Sequence, residues 1–422
     1  MFLAEARLSF KDQLQNPLNV RLLLAGMTLN SLPLGFTLVV LPIYLSEIGF
    51  SAEAIGVITS ASSIANTLAL IPFAIAADRY GRKIFVVSGF SVSALAYILF
   101  GFTRNFSLLL LASAIGGVMY AGGFSAAIWT PAWTALLTEK TGTEGRTGAF
   151  AWSQGMWTIA LTTGSLLSVV PILLQNTFKI SIEHSFQYIF IVFAGVAIIS
   201  GITVLPVSQR TNDSPQAQRK TPWNLISMRS FKHISKFSIV LGLVGFASGF
   251  SVQLLSLWFN KMYRVDESTL GPWFAAAEIT SLVVVPIIPR LTRALGSSRS
   301  VFAAQGLSAF FLSSMVLAPT YQIAGILFII RNLFMNISWP VQQSYLMGTV
   351  PSNERASASA ITSMIWGIGN SFGPFLAGIF LSSENYFSIS MPLTLGGGIY
   401  LASAIAFYLF FRKIHPPEEM KG

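Results

Sequence analysis

The chain of 422 residues has no cysteine, so a disulfide framework, a thiolate zinc site and a thiol nucleophile are all excluded. Its three histidines, His184, His233 and His415, lie in the polar stretches between apolar runs. Neither a histidine proton relay nor a metal centre is therefore expected. Charge is also scarce: 10% of residues are charged, against roughly 25% in soluble domains. The glycines include the pairs Gly116-Gly117 and Gly122-Gly123, but none belongs to a G-x-x-x-x-G-K-S/T phosphate loop. An ATP-driven pump encoded in this chain is thus not expected, and no cofactor is implied. The 16 acids are scattered, whereas a lipid-modifying membrane enzyme would need them clustered with histidine at one interface.

What is present is apolar. Hydrophobic residues make up 53% of the chain, and stretches such as 108–114, 189–199 and 401–411 are apolar almost without interruption. A barrel would show alternating segments of about ten residues. Continuous runs of about 20 instead fit helices crossing a hydrocarbon core about 30 Å thick, in which every backbone amide must be satisfied within its own segment. The pattern predicts twelve spans. Six fall at 22–46, 53–76, 84–102, 106–136, 148–174 and 187–206, and six at 237–259, 269–289, 300–318, 321–347, 357–381 and 391–411. The expected class is an all-α membrane protein.

Between the two sets, residues 207–236 hold Asn212, Asp213, Ser214, Pro215, Pro222 and six basic residues. They read as a polar linker, with a short surface helix from Trp223 onward. This divides the chain into 1–206, 207–236 and 237–422. Residues 1–21 look like an amphipathic cytoplasmic lead rather than a cleavable signal. With the N-terminus in the cytoplasm, 21 of 26 basic residues fall on that side; Arg104, Lys179, Lys261 and Arg264 fall outside, and Arg331 lies within a span. The positive-inside rule then places both termini in the cytoplasm of a cell-membrane protein. The net charge of +10 becomes a collar facing anionic lipid rather than a nucleic-acid footprint.

The halves are related. A shift of 209 positions aligns Pro131, Leu137, Arg146, Ala149, Ala151, Trp157, Gly164 and Leu167 with Pro340, Leu346, Arg355, Ala358, Ala360, Trp366, Gly373 and Leu376 without a gap. Paired six-helix halves are a known carrier design, with the solute site near the midplane between them.

Between the second and third spans stands Asp78-Arg79-Tyr80-Gly81-Arg82-Lys83, preceded by Ala74. This resembles the major facilitator superfamily signature G-x-x-x-D-R-x-G-R-K, with alanine in place of the leading glycine. The equivalent second-half loop, Arg293 to Arg299, keeps Gly296 but has no acid. Glu139 and Arg146 flank six residues, similar to an acid-to-arginine pair of sugar-transporting members, and Glu354-Arg355 is a partial echo. Gly369, Gly373, Pro374, Ala377 and Gly378 resemble the glycine and proline signature of proton antiporters, here on the eleventh span rather than the fifth. The resemblance implies twelve helices in two pseudo-symmetric six-helix bundles, the major facilitator fold, in a carrier expected to work as a monomer. Asp78, Arg79, Gly81, Arg82, Glu139, Arg146 and Arg355 are then expected to latch cytoplasmic helix ends in one conformation, since carboxylate and guanidinium form charge-assisted hydrogen bonds. Otherwise they are topology determinants. Gly369, Gly373 and Pro374 are expected to flex the eleventh helix.

Two strongly ionisable residues stand at membrane depth, Glu278 and Arg331, each about ten residues from the outer end of its span. Isolated, either costs about 3 kcal/mol or more at the helix centre, so a pair or a watery cavity is expected. In the functional reading Arg331 attracts a polar or anionic part of the solute and Glu278 exchanges a proton. In the structural reading they form a fixed salt bridge. Asn332, Asn336, Trp339, Gln342 and Gln343 follow on the same helix, and Asn30, Asn66, Tyr120, Trp129, Trp133, Gln154 and Trp157 are first-half candidates for a solute cavity. Such residues also serve as helix glue or interface belt.

The leading expectation is a secondary transporter working by alternating access, with proton-coupled efflux of lipophilic or anionic compounds. Proton-coupled uptake of a sugar or carboxylate is the alternative within that class. A lipid-modifying enzyme or a channel is the alternative outside it.

Overall fold

The computed structural model describes residues 17–116, 122–208, 230–351 and 354–412, and within them every side chain but those of 142–144, 146, 147 and 356. The N-terminal lead up to residue 16, Tyr120, the surface helix expected from Trp223 and the side chain of Arg146 lie outside the described residues.

Among the described residues the chain forms fifteen α-helices and no strand. They are α1 (Pro17–Glu47), α2 (Ala52–Tyr80), α3 (Arg82–Phe102), α4 (Phe106–Ile115), α5 (Gly123–Leu166), α6 (Val170–Phe178), α7 (Ile182–Val204) and α8 (Phe231–Ser251). The remainder are α9 (Leu255–Tyr263), α10 (Glu267–Val284), α11 (Ile288–Leu295), α12 (Ser297–Ser314), α13 (Tyr321–Thr349), α14 (Arg355–Leu381) and α15 (Tyr386–Phe411). In several of the short turns a polar residue caps the next helix. Asn105, Ser181, Asp266, Thr320 and Asn385 accept hydrogen bonds from the first amides of α4, α7, α10, α13 and α15, satisfying donors that have no partner inside the helix.

Among the described residues ten helical stretches are long and apolar enough to cross a membrane, and an eleventh results when α10 and α11, bent by 60° at their junction, count as one. The expected fourth span, 106–136, accounts for the difference. Helix stops at Ile115 and restarts at Gly123; Gly122 and Gly123 both have positive φ, 69° and 54°, a conformation that interrupts a right-handed helix. Beyond it α5 runs as unbroken helix through the loop expected between the fourth and fifth spans. It is nevertheless not straight. Trp133 Nε1 donates to the Leu23 carbonyl at 2.9 Å and Ser165 Oγ to that of Gly35 at 3.2 Å, positions about 18 Å apart on α1. A straight helix from Trp133 to Ser165 would cover about 48 Å.

Packing divides the chain into two compact units, Met1–Leu41 with Ala61–Asp213, and Pro42–Ser60 with Ser214–Gly422. In the first, Val20, Leu23, Phe90, Trp133 and Leu136 are part of a buried core. In the second, Phe237, Val301, Tyr345, Phe407 and Phe411 play that role. Residues 42–60, the tip of the first hairpin, group with the second unit. There the Glu53 amide donates to Ser382 Oγ and the Phe375 amide to Ser60 Oγ, each at 3.0 Å.

Each unit contains a helix crossing too close for side chains. In the first, a Cβ on Gly35 would strike the Leu161 carbonyl and one on Gly164 the Leu32 carbonyl. In the second, a Cβ on Gly245 would strike the Trp366 carbonyl and one on Gly373 the Phe250 amide. Gly164 and Gly373 are repeat partners in sequence, so α1 with α5 and α8 with α14 make the same contact. Gly369 meets the Gly242 carbonyl in the same crossing, and α14 runs unbroken through Pro374. Small residues are what allow backbones to approach this closely.

Candidate functional site

The first unit holds a cavity of about 360 Å³ between α1, α2, α3 and α5. Of the first-half candidates, Asn30, Asn66, Trp129, Trp133, Gln154 and Trp157 all line it. Their convergence follows from helical spacing and from the glycine crossing that draws α5 onto α1. Trp129 stands edge-on to Trp133, with ring centres 6.3 Å apart, and Asn66 Nδ2 donates to the Gly123 carbonyl at 3.2 Å. Ser93, Tyr97, Ser125 and Ser153 also line the cavity. The sequence does not single these out, because hydroxyl residues are common in membrane helices and carry no positional signal.

In the second unit, Arg331 is buried at 3% exposure. Its guanidinium lies 5.2 Å from the Tyr400 ring centre, and one terminal nitrogen donates to Asn332 Oδ1 at 3.4 Å. Its Nε is buried without a hydrogen-bond partner. Asn332 Nδ2 donates to the Ala277 carbonyl at 2.8 Å and Asn336 Nδ2 to Thr280 Oγ1 at 3.2 Å. These bonds tie α13 to α10 and place half-buried Glu278 level with Arg331. Asn332 and Asn336 therefore have helix-joining partners. Gln342 donates to Gln305 Oε1 at 3.0 Å, and Gln305 to the Tyr400 carbonyl at 3.2 Å. A buried polar chain thus reaches the residue under Arg331. Trp339 packs edge-on to Trp366 with ring centres 6.0 Å apart, and Gln343 is half-buried.

The loop signature between α2 and α3 forms a charge chain. Gly81, with φ of 109°, turns α2 into α3 and sets Arg82 at the start of α3. Arg82 meets Asp78 at 2.9 Å and Glu139 at 3.8 Å, and Glu139 meets Lys140 at 2.7 Å. The ends of α2 and α3 and the middle of α5 are linked in this way. Arg79 lies 5.4 Å from the ring centre of its neighbour Tyr80. Arg355 donates through Nε to the Val350 carbonyl at 3.2 Å, and buried Glu354 accepts from the Ser230 amide at 3.2 Å.

The profile of the Major Facilitator Superfamily matches residues 23–330 and 237–422. The chain belongs to the Major Facilitator Superfamily. It is accordingly a polytopic transporter and not an enzyme, a multi-pass membrane protein that moves a small organic solute by secondary active transport. Among curated proteins it is similar to "Multidrug resistance protein 1" of Bacillus subtilis (strain 168), 24% identical over 92% of this chain and 96% of that one. It is also similar to "Quinolone resistance protein NorA" of Staphylococcus aureus (strain MSSA476), 22% identical over 89% and 92%. Among solved structures, its fold is similar to that of the nucleoside transporter NupG, with a TM-score of 0.71 and 15% identity, covering 94% of this chain and 99% of that one. A bacterial homolog of the human lysosomal transporter Spinster, inward-facing and occupied, has a TM-score of 0.73 and 15% identity over 93% and 96%.

Proposed function

We propose that two six-helix bundles, 1–206 and 237–422, joined by the cytoplasmic linker 207–236, carry a small organic solute by alternating access in the cell membrane, with both termini cytoplasmic. The observation that carries this reading is the convergence of Asn30, Asn66, Gln154 and three tryptophans on one cavity. The recurrence of the glycine crossing in both units supports the paired design. The short helix α4 counts as the outer part of a twelfth span. Asp78, Arg82 and Glu139 form the latch, joined by Arg79, Arg146 and Arg355. Glu278 exchanges the coupling proton beside Arg331, and the carrier works as a monomer.

Proton-coupled uptake of a sugar or carboxylate is the first reading, and the cavity chemistry favours its sugar arm, because amides and hydroxyls beside indole rings suit a hydrophilic ring better than a purely lipophilic one. A second reading, proton-coupled efflux of lipophilic or anionic compounds, is favoured by the drug resistance that the curated relatives carry in their names. Purified protein in liposomes with an internal pH dye, challenged with sugars, carboxylates and a lipophilic dye under an imposed proton gradient, separates the readings. Accumulation driven by external acid supports uptake, and extrusion supports efflux. Flux without saturation would instead indicate a channel and overturn the carrier reading.

A further inference from the structure

Among the described residues, no acidic or basic side chain lines the first-unit cavity. Several of its hydrogen-bond donors are already committed. Ser31 donates to the Met27 carbonyl at 2.7 Å, Ser125 to Gly89 at 3.0 Å, Thr134 to Thr130 at 2.8 Å and Ser153 to Phe150 at 2.8 Å. Trp133 and Asn66 have likewise committed hydrogens to backbone carbonyls. Lone pairs on the hydroxyl oxygens remain. Asn30 goes further: at 8% exposure, its Oδ1 is buried without any hydrogen-bond partner.

We propose that this cavity selects uncharged solutes that bring a flat ring face and an N–H or O–H donor, and that Asn30 sets this charge preference. The inference rests on the carrier reading for the cavity's role, and it removes the ionic members of both solute classes named above. A carboxylate entering here would meet no counter-charge to offset the water it leaves behind, and six lining groups already donate to the backbone. A cation would find ring faces, which attract it, but no counter-charge to offset the water it leaves behind. A neutral amide or hydroxyl gives the Asn30 oxygen the partner it lacks, relieving the penalty of a buried unsatisfied acceptor. The tryptophan faces take the ring.

The test is equilibrium dialysis of the full chain in nanodiscs against four flat probes of similar shape. These are 2-naphthamide, which is neutral with a donor, its N,N-dimethyl form without one, 2-naphthamidine, which is cationic, and 2-naphthoate. Naphthamide is expected to bind about tenfold more tightly than either ion and about three- to tenfold more tightly than the dimethyl form. Asn30→Ala should bring naphthamide to the level of the dimethyl amide while leaving the latter unchanged. Asn30→Asp should reverse the order in favour of naphthamidine. Wild-type binding of naphthamidine or naphthoate as tight as naphthamide, or no binding by any of the four, overturns the inference, and this arm needs no variant to fold. Counterflow of labelled naphthamide across liposomes tests the carrier reading separately: binding without counterflow keeps the solute class and removes the carrier.

Discussion

Adding one methyl group at Gly373 should destabilise the second unit, whereas the same change at Gly398 should not. A Cβ built on Gly373 lies 2.6 Å from the Gly249 Cα, about 1 Å short of the 3.5–4.0 Å at which carbon atoms attract. The obstacle is backbone, so no side chain can swing aside; α8 and α14 must part or tilt. Overpacking of this kind costs about 1–3 kcal/mol. At Gly398 nothing lies within 4 Å, and Ala is favoured over Gly inside a helix by about 0.5–1 kcal/mol. Thermal unfolding in detergent should therefore show Gly373→Ala lower in Tm by several degrees, at about 2–4 °C per kcal/mol for a unit of this size, and Gly398→Ala level or slightly higher. The repeat requires Gly164→Ala in the first unit to behave like Gly373→Ala. Equal Tm values for Gly373→Ala and Gly398→Ala would refute the close crossing. If transport fell in that case, the glycine would be acting as a flexing point instead.

Asp78→Asn removes the 2.9 Å ion pair with Arg82; exposed pairs contribute only about 0–1 kcal/mol, so Tm should hardly move while turnover in liposomes falls. Normal turnover with normal insertion would remove the latch. Glu278→Gln should transport without the pH dependence of the wild type, and an unchanged pH profile would rule out its proton role. Partial burial raises Asp266, but hydrogen bonds from the Thr269 side chain and amide and from Ser268 outweigh it and hold the carboxyl below its ordinary value. Its capping contribution is thus complete above the ordinary carboxylate pKa and lost as pH falls through the lower folded value. Asp266→Ala should cost about 1 kcal/mol at pH 7, and the gap in Tm from wild type should narrow in acid.

Hydropathy makes most spans legible because apolar length is a one-dimensional property. Tryptophan, asparagine and glutamine point to the cavity because such residues are costly in lipid without a role. Non-local properties are hidden. The break in the fourth span depends on the φ angles of Gly122 and Gly123, and the glycine pairs alone do not reveal them. The bend between α10 and α11 flanks Pro286, which reads in sequence as part of a straight span. Sequence sets Arg331 at the depth of Glu278, yet the ring beneath it comes from Tyr400 on α15, which has no periodic relation to it. The grouping of residues 42–60 with the second unit rests on backbone contacts to Ser382 and Phe375 that no motif announces.

The chain has no native cysteine, so a single one at cavity-lining Gln154 reports which side of the membrane reaches the site. Inverted and right-side-out vesicles carrying Gln154→Cys would be treated with a membrane-impermeant maleimide. Alternating access predicts labelling from both sides; labelling from one side alone, at every pH and with every solute tried, would contradict it.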